Sequence, residues 1–251
     1  MNTAFDPSSI ALSLADAWNG QPRIAAAGVP VADEAQAYAV QDALASRLGP
    51  VAGWKVGASS DTHEPNAAPL PASVVVPAGS TLRLAARSLR LIELEVAVRL
   101  RTDLVPGDRL HSRDEVIAAI DAVMPAIEVV DSRLAETRAA PALARLADLQ
   151  SHGALAYGAS SGVDPRSLDL RQLRTRLWFN DEEATDVTGG HAAPDIWRLI
   201  AWLARHAQAR RRPLRAGDII TTGSCTPPVI AAEGARVAGE ITGLGRLELA
   251  L

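Results

Sequence analysis

Ile92, Leu94, Val96, Val98 and Leu100 alternate with Glu93, Glu95, Ala97 and Arg99 in the most regular stretch of the chain. Successive side chains of a strand point to opposite faces, so the pattern predicts a β-strand with one apolar face and both glutamates on the other. A second apolar strand is expected within residues 124–133, where Glu128 faces away from Ile127 and Val129. Residues 51–58 read as a third, with Trp54 and Val56 on one side and Lys55 on the other, between Gly53 and Gly57. Leu173, Thr175, Leu177 and Phe179 alternate into Asn180-Asp181, one arm of a hairpin. Residues 219–223 and 247–249 read as further strands.

Helical spacing takes over elsewhere. Ile10, Leu14 and Trp18 recur four apart behind the candidate caps Ser8 and Ser9, with Gly20 as a stop. Asp33 and Gln36 form a capping pair ahead of Val40, Leu44 and Leu48, and Gly49-Pro50 closes that helix. Ser112 and Glu115 cap a short helix that leads into the Glu128 strand. Pro194 is expected to open a helix with the apolar stripe Ile196, Leu199, Ile200 and Leu203, which Trp197 and Trp202 extend toward another subunit. The Pro- and Ala-rich residues 64–79 are expected as an irregular loop, long enough to be functional. The chain thereby divides into an N-terminal helical segment, residues 1–50, and a strand-rich domain, residues 51–251.

Composition narrows the function classes. With 48% hydrophobic residues over 251 positions, the chain can bury a sizeable core, made mostly of Leu, Val, Ile and Ala because aromatics are only 4%. A formal charge of -4 argues against nucleic acid or an anionic membrane as partner. Arg210, Arg211 and Arg212 are the local exception, read as a solvated helix terminus that complements the dipole. The single cysteine, Cys225, has no cationic neighbour in sequence to activate it and reads as a small buried filler. No stretch reaches spanning length, and the N-terminus lacks a basic flank followed by an apolar run, so a cytoplasmic location is expected.

Candidate chemistry rests on a few ionisable positions. Of 25 basic residues Lys55 is the one lysine. Arginine cannot release its proton whereas a partly buried lysine can, so Lys55 is either a proton-transfer group or a remnant of arginine-biased coding. Glu93 and Glu95, two apart on one strand face, repel unless a counter-charge sits between them. Either that face is solvated, or a divalent cation resolves the repulsion; hard oxygen ligands suit magnesium or manganese better than zinc. Glu128 is a third acid of the same kind, and Asp131 with Arg133 reads as a local ion pair of small value.

Four ordered motifs carry a resemblance. Gly53-Trp54-Lys55-Val56-Gly57, Glu93-Leu94-Glu95, Pro125-Ala126-Ile127-Glu128-Val129-Val130-Asp131-Ser132-Arg133 and Leu214-Arg215-Ala216-Gly217-Asp218-Ile219-Ile220-Thr221-Thr222-Gly223 follow one another here. Together they resemble the 2-keto-4-pentenoate hydratase and 4-oxalocrotonate decarboxylase family of the fumarylacetoacetate hydrolase superfamily, over nearly the whole chain. The resemblance implies an α+β fold, a small helical N-terminal part packed on a mixed β-roll. It implies Glu93, Glu95 and Glu128 as ligands of Mg2+ or Mn2+, with Lys55 beside the metal as a proton shuttle. The implied substrate is a short 2-oxo acid or its enol, held also by Thr222, Gly223 and Ser224. Next to a cation, and partly buried between two glycines, the Lys55 ammonium is expected to have a lowered pKa.

The chain departs from the family pattern at three positions. Ser73, in Leu70-Pro71-Ala72-Ser73, stands where relatives often carry an acid, and Leu149 and His152 replace two amides. Ser73 is therefore read as a substrate contact, and His152 as either a proton carrier or a structural hydrogen-bonder. The implied reaction is hydration of a 2-hydroxy-2,4-dienoate, with decarboxylation of a 4-oxalocrotonate-type diacid or acylpyruvate C–C hydrolysis as alternatives. A homo-oligomer is expected, or a hetero-complex with a related hydratase or decarboxylase in which this chain could be a weakly active subunit.

Overall fold

Asp6, rather than Ser8 or Ser9, caps the first helix: its carboxylate accepts the Ser8 N–H while Pro7 takes the first helical position. Proline's missing N–H has no helical partner there to lose. The computed structural model describes residues 5–84 and 88–251. In it, α1 (Pro7–Trp18) packs on α2 (Glu34–Leu48), which starts at Asp33 through the expected bond to Gln36. The strands β1 (Val51–Gly57), β2 (Asn66–Pro71), β3 (Val75–Pro77) and β4 (Leu91–Leu100) follow, then α3 (Arg113–Ala118), β5 (Ile120–Val130), α4 (Ala142–Ala147) and β6 (His152–Tyr157). The hairpin β7 (Arg174–Phe179) and β8 (Glu182–Thr188) precedes α5 (Ile196–Ala209), and β9 (Ile219–Ser224), β10 (Val229–Ile230), β11 (Arg236–Ile241) and β12 (Gly245–Ala250) complete the chain.

Residues 64–79 are mostly strand, against the expectation of a loop. Pro69 and Pro71 disguise β2, which lies at one end of its sheet, where a residue without an N–H is tolerated. That sheet runs β2-β1-β9-β4-β5-β6-β3, with β10 on β4, and a smaller sheet runs β12-β11-β7-β8. Parallel pairs (β1 with β9, β3 with β6) mix with antiparallel ones, as the α+β reading requires. Asn180 and Asp181 both take positive φ, 49° and 73°, and turn β7 into β8 as read from the sequence.

The two faces of the large sheet do different work. Ile92, Leu94, Val96, Ile127, Val129, Trp54 and Ile220 join Leu177, Val237 and Leu247 of the small sheet and Ile196, Leu199 and Ile200 of α5 in the main core. The opposite face is concave and small: Ala97, Ala122, Met124, Ala126, Leu155 and Ile219 fill it, with Leu70 of β2. Gly53 shows how close the strands come, because a Cβ there would lie 1.8 Å from the Ile219 carbonyl oxygen.

Two surface readings change. Trp197 is buried in the main core rather than turned outward, with Arg113 over its ring, and the half-buried Trp202 donates to Glu64 and stacks on His206. Arg210 is not a solvated terminus: it bonds Asp42 at 2.8 Å and lies over Tyr38, clamping α5 to α2. Cys225 is the buried filler expected, its thiol pushed up to about 12 by burial and by the charge of Glu95.

Candidate functional site

Period-two geometry delivers Glu93 and Glu95 to the concave face, and the β4–β5 register sets Glu93 directly opposite Glu128. One oxygen from each of the three lies within 4.8 Å of the others. Burial withholds water from Glu93 and Glu95, and the Glu128 charge repels both, so their carboxyls are raised to about 7 and about 8. Burial pushes Glu128 the same way, but Lys55 and a hydrogen bond from His152 outweigh it and lower it to about 2. One ionised acid thus faces two that resist ionisation, an imbalance that a divalent cation would remove.

Lys55 Nζ lies 2.7 and 2.9 Å from the two Glu128 carboxylate oxygens and donates at 3.4 Å to the Gln150 carbonyl. Burial opposes its charge, yet Glu128, Glu95 and Glu93 more than compensate, so its pKa is raised. That is the balance without a metal ion, when three carboxylates surround the ammonium; the lowered value expected beside a bound cation concerns the metal-loaded site. Without a metal ion Lys55 is a held ammonium.

His152 is wholly buried behind Glu128, with Nδ1 2.8 Å from Oε1. Ionised Glu128 can only accept, so Nδ1 carries the proton, and burial keeps the ring neutral by lowering its pKa. Nε2 is then a bare lone pair, and it has no partner among the described residues. The imidazole aims Glu128 and does not line the open cavity.

The other expected contacts divide. Gly223, at φ 110°, gives its N–H to Glu95 Oε2 at 2.9 Å. Thr222 faces the other way and donates to the Val96 carbonyl at 2.8 Å, while Ser224 closes a turn through the Thr226 carbonyl at 2.7 Å. Ser73 is exposed in a 3-10 turn after β2 and is not part of the cavity wall around Lys55. That cavity, of about 530 Å3, opens above Lys55 and Glu93 and is walled by Gln150, Ser151, Arg138 and Arg145.

Residues 37–251 match the fumarylacetoacetate (FAA) hydrolase C-terminal family. The chain belongs to that family. A 2-hydroxyhexa-2,4-dienoate hydratase of Comamonas testosteroni is 32% identical over 205 residues, 78% of this chain and 76% of its own. A 2-keto-4-pentenoate hydratase of Dechloromonas aromatica (strain RCB) is 29% identical over 228 residues, 86% of each chain. Among solved structures, 4-oxalocrotonate decarboxylase from Pseudomonas putida G7, complexed with magnesium and adipate, matches with a TM-score of 0.81 at 26% identity, covering 97% of this chain and 96% of that one. The same decarboxylase is also known with calcium and acetate.

Within this FAA hydrolase fold the donor set fits a hard divalent cation. Three carboxylates converge with no thiolate or imidazole among them, and Thr221 and Gly223 occupy only one oxygen of Glu95. Thr221 was missed in the sequence, though alternation from Ile219 places it, not Thr222, on the concave face. Arg133 and Asp148 were missed as a pair. Both are buried at 2.5 Å, and Arg133 also donates to the Asp148 and His152 carbonyls, while Asp131 pairs with Arg23 instead. This pair anchors a turn in which Leu149, Gln150 and Ser151 all have positive φ, and the turn presents the Gln150 carbonyl to Lys55 and His152 to Glu128.

Proposed function

We propose that this chain is a metal-dependent lyase of short 2-oxo acids that hydrates a 2-hydroxy-2,4-dienoate. The observation that carries this reading is the convergence of Glu93, Glu95 and Glu128 beside a cavity that Glu93 and Lys55 line, with Lys55 bonded to Glu128. The names of its hydratase relatives support it. Glu93, Glu95 and Glu128 would hold Mg2+ or Mn2+, which when bound supplies Lewis acidity toward the carboxylate and C2 oxygen of a 2-oxo acid.

The chain's own groups do the rest. In hydration the enol hydroxyl loses its proton as C5 gains one; water then adds its oxygen to C4 and a proton to C3. The Lys55 ammonium is the proton source within reach of the cavity, and Glu128 and the Gln150 carbonyl hold its position. His152 keeps Glu128 aimed and is a positioning residue. Gly223 and Thr221 orient Glu95, and Ser73, Thr222 and Ser224 are assigned supporting rather than catalytic roles. We place residues 1–50 as a buttress for the roll formed by residues 51–251, and we take the active form as a cytoplasmic homo-oligomer. Among the described residues no helix is long and apolar enough to cross a membrane.

Decarboxylation of a 2-oxo diacid is the second reading. It is favoured by the decarboxylase likeness over 97% of the chain. Purified protein with manganese should consume 2-hydroxy-2,4-pentadienoate, followed by its ultraviolet absorbance. Carbon dioxide release from an oxalocrotonate-type acid outpacing that loss would establish the second reading instead.

A further inference from the structure

The wall of the cavity carries two guanidinium groups, and neither is used by the chemistry above. Arg138 lies in the 3-10 turn of residues 137–139 and Arg145 in α4, and both border the same cavity as Lys55 and Glu93. Arg145 donates only to backbone, to the Arg138 and Ala140 carbonyls, which ties it to the turn carrying Arg138. Among the described residues neither arginine has a carboxylate in ion-pair range, in a chain where Arg99, Arg109, Arg133, Arg174, Arg176 and Arg236 all do.

Charge balance gives these groups a ligand. A divalent ion and the Lys55 ammonium together offset the three glutamates. The two guanidiniums then remain as uncompensated positive charge in the cavity wall. A 2-oxo monoacid leaves one of them unmatched; a 2-oxo diacid matches both, and planar guanidinium forks suit a carboxylate.

We propose that Arg138 and Arg145 are specificity-determining residues that bind the distal carboxylate of a 2-oxo dicarboxylic acid, or of a dienoate bearing a second carboxylate. The inference rests on the 2-oxo-acid reading of the site and holds for either lyase step. The test is calorimetric titration of the manganese-loaded protein with 2-oxoadipate, with 2-oxohexanoate, which has the same length but lacks the second carboxylate, and with pyruvate as a head-group probe. 2-Oxoadipate should bind at least ~10-fold more tightly than 2-oxohexanoate, as expected for a charge-assisted contact. That ratio should shrink in Arg138→Gln, an exposed position where folding is not at risk, and approach one when Arg145→Gln is added. Equal affinities in the wild type, or a ratio that survives both substitutions, would overturn the assignment while leaving the 2-oxo-acid site in place. Failure of all three acids to bind would remove the site reading itself, and this inference with it.

Discussion

Lys55 Nζ and Glu128 Oε1 are 2.7 Å apart although β9 and β4 separate their strands in the sheet. Flat strands about 4.8 Å apart would set β1 and β5 roughly 14 Å from one another. The contact therefore measures the curl of the sheet, and the two side chains meet across its hollow. Removing one partner strands the other: Lys55→Met should destabilise the metal-free protein by about 3–5 kcal/mol, read by urea unfolding. Lys55→Arg keeps the charge but cannot release a proton, so turnover should fall on the order of 10²-fold while manganese still binds. Wild-type turnover in that variant would falsify the proton-donor role.

Glu93→Gln, Glu95→Gln and Glu128→Gln should each weaken manganese binding by tenfold or more, since an amide removes charge at constant volume. Calorimetry on the three variants checks this, and unchanged affinity in all of them would end the metal assignment. Thr221→Val should give a smaller loss, of about 1 kcal/mol in binding, by releasing one oxygen of Glu95 from its hydroxyl donor.

The acid cluster makes stability depend on pH in an unusual direction. Glu93 and Glu95 titrate near 7 and 8 when folded but near 4.5 when unfolded, so between those values the folded, metal-free protein holds more protons. Stability from these groups is greatest below pH 4.5 and is lost as pH rises toward 8. Glu128 runs the other way, contributing above pH 4.5 and failing as pH drops toward 2. Below pH 6.5 the buried His152, His191 and His206, all with lowered pKa, oppose this trend, so melting of chelator-treated protein should decline from about pH 6.5 to 8, and manganese should raise the melting temperature most at pH 8. A metal-free melting temperature that climbs over this range would contradict the buried cluster.

Arg133→Met should cost about 3–5 kcal/mol by leaving Asp148 charged and buried. If the pair positions the Gln150 turn, Arg133→Lys, which cannot span the same set of acceptors, should lower kcat more than it raises KM. A variant that only melts earlier, with kcat intact at low temperature, would show the pair to be scaffolding alone.

Much of this site was legible because β4 and β5 alternate so strictly that Glu93, Glu95 and Glu128 had to share a face once the strands paired. The four ordered motifs supplied the pairing. What stayed hidden was either long-range or masked by composition. Nothing local links Arg133 to Asp148, and prolines concealed β2. The two adjacent threonines of β9 were told apart only by the phase of the strand, which the sequence reading did not follow through from Ile219. The raised pKa of Lys55 in the metal-free protein was likewise hidden, because it depends on three charges from two other strands.

Glu95 and Glu128 are buried and Glu93 and Lys55 line the cavity, while apolar Met124, Leu155, Ile219 and Leu70 form a separate buried cluster, so the acids are reached from the cavity side. Traffic is then sequential: whatever sits deepest must arrive first and depart last. A cation bound at the carboxylates would be covered by each acid that follows it, and the product would leave past Arg138 and Arg145 in the cavity wall.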